Sequence, residues 1–166
     1  DIFIMDYRRF GKSTGVIDKE NVMYQDIQTV YDSLQNQFHY IDDKTIVIGY
    51  SIGTGFAAKL ASDNSPKLLI LKAPYYSLPN LINQYYKVVP HFLIKFKLPT
   101  YKYLKEVKSP IVIFHGEEDN VIPVKSSFKL QKLCKENDTI ITLKNQDHNG
   151  IGNNILYQEN IKELLR

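Results

Sequence analysis

Thr45-Ile46-Val47-Ile48-Gly49-Tyr50-Ser51-Ile52-Gly53-Thr54-Gly55-Phe56-Ala57-Ala58-Lys59-Leu60-Ala61-Ser62 reads as a short apolar strand, a glycine-flanked turn and an alanine-rich helix. Gly49 to Gly53 match G-x-S-x-G, and the flanks give the strand-turn-helix setting in which that pattern makes a nucleophile elbow. Gly49 and Gly53 remove side chains where strand and helix nearly touch. The Ser51 hydroxyl then projects from the top of the sheet. The backbone N–H of Ile52 faces the space where an oxyanion forms.

A serine nucleophile needs a base, and the base needs an orienting carboxylate. Two later strand ends offer them. Ile111 to Phe114 is a buried-strand run ending in His115-Gly116-Glu117-Glu118-Asp119. Thr139 to Leu143 is a second, ending in Lys144-Asn145-Gln146-Asp147-His148-Asn149. All three groups thus follow carboxyl ends of strands, the edge where open α/β sheets gather ligands. Asp119 competes with Glu117 and Glu118, and His148 with His39, His91 and His115. The order serine, acid, histidine selects Asp119 and, after the last strand, His148. His115 reads as a packed strand-end residue, His39 and His91 as surface or lid residues.

Two phosphate-binding patterns fail on inspection. Gly11-Lys12-Ser13-Thr14 ends like a P-loop, but aspartate stands at position 6 where that pattern needs glycine, and it would repel phosphate. Gly53-Thr54-Gly55-Phe56-Ala57-Ala58 matches a dinucleotide fingerprint without the acidic residue that holds the ribose. The reading therefore calls for no cofactor and no metal.

At 166 residues the chain fits one domain with a real core, and 43% hydrophobic with 23% charged residues is ordinary for a globular protein. A net charge of +3 is too small to argue for nucleic acid. The single cysteine, Cys134, excludes an internal disulfide and a Cys-rich zinc site, and it shares a helical face with Phe128, Leu130 and Leu133. A core thiol points to a reducing, cytoplasmic compartment. No apolar run is long enough to span a membrane.

Strand and helix alternate, the pattern of a mostly parallel sheet with helices on both faces. Ile2–Asp6 reads as a strand, Asp18 to Phe38 as a helix, Lys67 to Lys72 as a strand, Val124 to Glu136 and Asn153 to Leu165 as helices. Residues 75–108 break the alternation with Pro79, Pro90 and Pro99 among many aromatics. An insertion past a strand's carboxyl end is placed to be a lid, with Tyr75 and Tyr76 as substrate-binding residues. The alternative is a pair of short helices covering the sheet. Six lysines and one glutamate between Lys87 and Lys108 read as a solvated face.

With these residues in place the chain resembles an α/β-hydrolase-fold serine hydrolase, in the branch of Bem-type proteins and bacterial relatives of prolyl oligopeptidase. Asp6-Tyr7-Arg8-Arg9-Phe10-Gly11-Lys12-Ser13 is similar to that group's D-Y-R-G-x-G-x-S loop, and Ile46 to Ser62 to its elbow. Ala73-Pro74-Tyr75-Tyr76-Ser77-Leu78, His115 to Pro123 and His148-Asn149 resemble its later blocks. The resemblance implies Ser51 as nucleophile, Asp119 as acid, His148 as base and Ile52 as one oxyanion-hole donor. It departs at Arg9, where glycine is usual, and at Asp147, where glycine is common before the histidine. Nothing corresponds to the strand and oxyanion loop that the group carries between the strands matching Ile2–Asp6 and Thr45 to Ile48. The chain therefore reads as one α/β-hydrolase domain, 1–166, lacking an N-terminal section, and a missing upstream segment leaves room for membrane association. The expected substrate is a small ester, thioester or peptide. The competing reading is a non-catalytic, hydrolase-like binding scaffold or an inactive fragment.

Overall fold

A run of β-branched and leucine side chains makes the centre of the molecule. In the computed structural model, which describes residues 1–86 and 89–166 and only the backbone of His91, four strands form one parallel sheet. They are β1 (Ile46–Tyr50), β2 (Leu68–Lys72), β3 (Ile111–Gly116) and β4 (Thr139–Leu143), hydrogen-bonded in that order. Register pairs Ile48 with Ile70, Ile70 with Val112, and Phe114 with Ile141. β2 and β3 are almost wholly buried, as strands covered on both faces must be.

Alternation along the strands separates two cores. Leu69, Leu71, Ile111 and Ile113 face one side, where they meet Tyr31 of α1 (Glu20–Phe38), Ala57, Ala58 and Ala61 of α2 (Gly53–Asp63), and Leu130 of α5 (Lys125–Gln131). Leu68, Ile70, Val112 and Phe114 face the other, where Tyr157 of α6 (Ile155–Leu164) and Ile151 cover them. The strand order runs in one direction, so the crossover helices share a face, and among the described helices α6 packs on the opposite one. This is the α/β-hydrolase architecture, with helices on both sides of a parallel sheet.

Local signals set the helix ends. Met23, Ile27 and Tyr31, spaced four apart, form the buried stripe of α1. Ser77 caps α3 (Leu78–Tyr85) by accepting the Asn80 N–H at 3.2 Å, with Pro79 in the first turn. Asn154 caps α6 in the same way through the Tyr157 N–H. The helix expected to reach Glu136 stops at Gln131. Beyond it the Asp138 carboxylate takes the N–H of Lys135 at 2.7 Å and of Ile111 at 2.9 Å, a local alternative to further helical bonds. Cys134 is half-buried against the α2 core.

Ile2–Asp6 is not a strand, contrary to its sequence pattern. A strand exists only through a ladder, and between this segment and β1 lies an apolar cavity of about 190 Å³ lined by Phe3, Met5, Ile46 and Ile48. Among the described residues no strand pairs with this segment, and Ile2 and Ile4 are exposed. The gap flanks β1, which pairs with β2 along the sheet.

The 75–108 segment is partly core and partly cover. Leu98, Leu104 and Val107 are buried, and α4 (Thr100–Leu104) packs on α2. α3 instead crosses toward the strand ends, where Tyr85 donates its hydroxyl to the carbonyls of Asn120 at 2.5 Å and Val121 at 3.0 Å. Phe92 and Leu93 are exposed. Lys87 and Val88, within the expected lid, lie outside the described residues, as does the His91 side chain.

Candidate active site

β1 delivers Ser51 into a turn that no relaxed L-residue prefers. Its φ is +51°, the left-handed region, and Thr54 holds it there by donating N–H and hydroxyl to the Ser51 carbonyl at 3.0 and 2.7 Å. The Ser51 N–H donates to the Lys72 carbonyl on β2 at 2.9 Å. A Cβ on Gly49 would lie 2.7 Å from the Ala57 Cβ and 2.8 Å from the Gly53 carbonyl oxygen, which is why the strand can pass so close to α2 only with glycine there. Ile52 precedes α2, whose first N–H groups have no intrahelical acceptor. Its side chain is exposed beside Ser51.

The turn after β3 carries Asp119, 4% exposed. One carboxylate oxygen accepts the N–H groups of Val121 at 2.9 Å and Ile122 at 2.7 Å, which fixes the side chain against its own loop. The other accepts His148 Nδ1 at 2.8 Å and lies 3.3 Å from His115 Nε2. Burial pulls the Asp119 pKa up, but hydrogen bonds from His115, the Ile122 N–H and His148 outweigh it and hold the carboxyl below its ordinary value.

The loop after β4 brings His148 to this carboxylate. It is clamped from beneath by Glu117 N–H donating to the Leu143 carbonyl and Glu118 N–H to the Gln146 carbonyl, both at 3.0 Å. Gly116 permits this approach, since a Cβ there would stand 2.2 Å from the Gln146 oxygen. His148 Nε2 lies 2.9 Å from Ser51 Oγ. Because an ionised carboxylate only accepts, His148 Nδ1 carries the proton and Nε2 is the acceptor for the serine hydroxyl. The three residues singled out from the sequence therefore form one unbroken chain of hydrogen bonds.

Two further residues flank that chain, and of these Tyr50 carries no signal in the sequence. Tyr50, the residue before Ser51, stacks on the His148 ring and hydrogen-bonds its carbonyl. His115, wholly buried, donates Nε2–H to the Ile122 carbonyl at 2.7 Å and accepts the Ser127 hydroxyl on Nδ1 at 2.7 Å. It is the packed strand-end residue its pattern suggests, with an added contact to Asp119. Its four-residue spacing from Asp119 was the only signal available.

Tyr75 and Tyr76 stand differently from expectation. Tyr75 is fully buried and donates to the Ile52 carbonyl at 3.2 Å, bracing the elbow from inside. Tyr76 stacks on Tyr101 at 4.7 Å, against the α2 core. Neither lines the open cavity next to the elbow, a space of about 390 Å³ bounded by Ile52, Phe56, Leu78 and Leu98. Both aromatics follow a buried strand closely enough that packing claims them. Among the described residues, no cluster of His, Cys, Asp and Glu has the arrangement to hold a metal ion, and no helix is long and apolar enough to cross a membrane.

Comparison with known proteins matches this architecture. The model of the serine aminopeptidase S33 family matches residues 1–103. The α/β hydrolase domain-containing protein 17C of Mus musculus is 26% identical over 170 residues, 99% of this chain and 50% of that protein. The α/β hydrolase domain-containing protein aho-3 of Caenorhabditis elegans is 25% identical over 168 residues, 99% of this chain and 48% of that protein. The chain thus spans about half the length of these relatives. Among solved structures, an esterase of Pyrococcus furiosus superposes with a TM-score of 0.72 at 18% identity, covering 96% of this chain and 65% of its own. A serine hydrolase homologue from Coxiella burnetii gives 0.67 at 21% identity, covering 96% and 64%.

Proposed function

The chain belongs to the serine aminopeptidase S33 family of α/β-hydrolases, and on that premise we propose that it is a serine hydrolase acting on a carboxylic ester, thioester or amide. One observation carries the reading. Asp119, His148 and Ser51 are joined by hydrogen bonds of 2.8 and 2.9 Å, with the serine held at a left-handed φ in front of a helix N-terminus.

His148 Nε2 takes the Ser51 proton as Oγ attacks the carbonyl carbon. The carbonyl oxygen becomes an oxyanion that the Ile52 N–H stabilises, one such donor being worth about 10²–10³ in rate. Asp119 keeps the imidazole in its reactive tautomer and balances the charge it gains. The bond to the leaving alcohol, thiol or amine breaks, and His148 hands it the proton. Water then attacks the Ser51 ester, giving a proton to His148. The acid departs and the proton returns to Ser51. These steps need no metal or organic cofactor. Esters rank above peptides as substrates, since the space beside the elbow is apolar and has no series of polar groups to pair an extended peptide backbone.

Turnover of a simple aryl ester by wild type and Ser51→Ala tests the reading. A loss of about 10⁴-fold or more in kcat is expected. Equal rates would leave a hydrolase-like scaffold that binds without cleaving.

A further inference from the structure

The turn that carries Asp119 is held through its backbone by three different groups. The N–H groups of Val121 and Ile122 donate to one Asp119 oxygen at 2.9 and 2.7 Å, which leaves the other oxygen to His148. The Ile122 carbonyl accepts His115 Nε2–H at 2.7 Å. The carbonyls of Asn120 and Val121 accept the Tyr85 hydroxyl at 2.5 and 3.0 Å. A carbonyl and the N–H that follows it share one planar unit, so Tyr85 grips the same two peptides whose N–H ends hold the acid. Turning either peptide at its oxygen moves its N–H off the carboxylate.

Tyr85 reaches this turn from a distant part of the chain, 35 residues before Asn120. It ends α3, whose eight residues set its two ends about 12 Å apart. Leu78, at the other end, lines the cavity beside Ile52. The helix therefore runs from the nucleophile's side of the site to the acid's. Of its residues only Pro79 is buried, so packing holds α3 lightly and the Tyr85 contact sets where its far end lies. Asn80 accepts Lys129 Nζ at 3.0 Å, a second tie that goes to α5 rather than to the acid turn.

We propose that Tyr85 is a positioning residue for the catalytic acid, acting through the turn backbone on the Asp119–His148 pair; the proposal rests on the serine-hydrolase reading. The seating of α3 and the aim of the carboxylate are then one event. A helix that only covered the site would act on substrate access, which is read in KM. A hydroxyl that aims the acid acts on kcat, and does so even for the smallest ester.

Kinetics and hydrogen exchange together test it. Tyr85→Phe keeps the ring and removes only the hydroxyl. Its kcat for p-nitrophenyl acetate falls about three- to tenfold, the worth of one net hydrogen bond, with KM within about twofold of wild type. In an Asp119→Asn background the same substitution changes kcat by less than about twofold, because its effect runs through the carboxylate. Asn80→Ala, which cuts the tie to α5, leaves kcat within about twofold of wild type. An unchanged kcat in Tyr85→Phe, an effect confined to KM, an equal loss in both backgrounds, or as large a loss in Asn80→Ala overturns the proposal.

The exchange arm needs no chemistry. In Tyr85→Phe the Val121 and Ile122 amides exchange at least about threefold faster than in wild type, at an unchanged denaturant midpoint. Equal exchange overturns the proposal whether or not any ester is turned over. Faster exchange at these two amides with no turnover of any ester removes the hydrolase reading and leaves Tyr85 as the support of the turn. Turnover with equal exchange and equal kcat removes the role of Tyr85 and leaves the hydrolase reading.

Discussion

The ring of Tyr50 lies against the imidazole of His148, with centroids 5.5 Å apart and planes 23° from parallel, and the Tyr50 hydroxyl donates to the His148 carbonyl at 2.5 Å. Tyr50, the residue before Ser51 on β1, thus holds His148 by ring and backbone at once. Lys72 completes the stack from β2, its ammonium 5.0 Å from the Tyr50 centroid and 5.3 Å from that of Tyr157. Burial among these rings pushes the Lys72 pKa down.

Tyr50 is therefore a positioning residue. Tyr50→Phe keeps the stack and loses one hydrogen bond of about 1 kcal/mol, a roughly fivefold fall in kcat. Tyr50→Leu loses both contacts and falls further, by about tenfold or more. KM stays within about twofold in each, because neither contact touches substrate. Steady-state kinetics on the three proteins checks the ordering, and a Leu variant as fast as wild type would contradict it.

Asp119 should act on both rate and stability. Asp119→Asn leaves the geometry but lets His148 adopt the wrong tautomer, at a loss of about 10⁴ in kcat. The Asp119 carboxyl is held below its ordinary pKa, so its stabilisation is fully present above about pH 4 and is lost as the pH falls through the lower, folded-state value. Urea unfolding at a series of pH values should show wild type ahead of Asp119→Asn near neutrality, with the margin shrinking below about pH 4. A margin independent of pH would remove the claim that the carboxylate is ionised and bonded in the folded protein.

His115 is the second buried imidazole at the acid. Replacing it by phenylalanine leaves the Ile122 carbonyl and Ser127 hydroxyl without their partners and removes a neighbour of Asp119. A destabilisation of about 2–4 kcal/mol follows from unsatisfied buried groups. Denaturant midpoints at neutral pH measure it, and a change within about 0.5 kcal/mol, the scale of surface substitutions, would refute the assignment.

Two glycines provide a contrast in one experiment. A methyl at Gly49 meets Ala57 and the Gly53–Thr54 backbone below 3 Å, whereas one at Gly152 meets nothing within 4 Å. Gly49→Ala should cost about 1–3 kcal/mol by overpacking, and Gly152→Ala should change stability by less than about 0.5 kcal/mol. Equal effects would mean that strand and elbow helix are not in the close contact described.

The elbow, the four paired strands and the grouping of Ser51, Asp119 and His148 were readable because each rests on a local pattern that the parallel sheet reinforces. The apolar runs that became β2 and β3 are buried on both faces, so pattern and packing agree. Ile2–Asp6 carries the same pattern, but a strand needs a hydrogen-bonding neighbour, and β1 is separated from it by a cavity. Tyr75 and Tyr76 were open to two readings for a related reason. An aromatic just past a buried strand serves the core or a pocket equally well by composition, and only the path of the following chain decides. Tyr50 was hidden inside the motif itself, where the variable position next to serine carries no signal until the His148 loop folds back onto it.

The central claim is that Ser51 is an activated nucleophile. A fluorophosphonate probe followed by peptide mass spectrometry reads this directly. One adduct, on Ser51, is predicted for the folded wild type, with none on Ser51→Ala and a strongly slowed reaction on His148→Ala. A folded wild-type protein that takes no label, or takes it on another residue, would contradict the account.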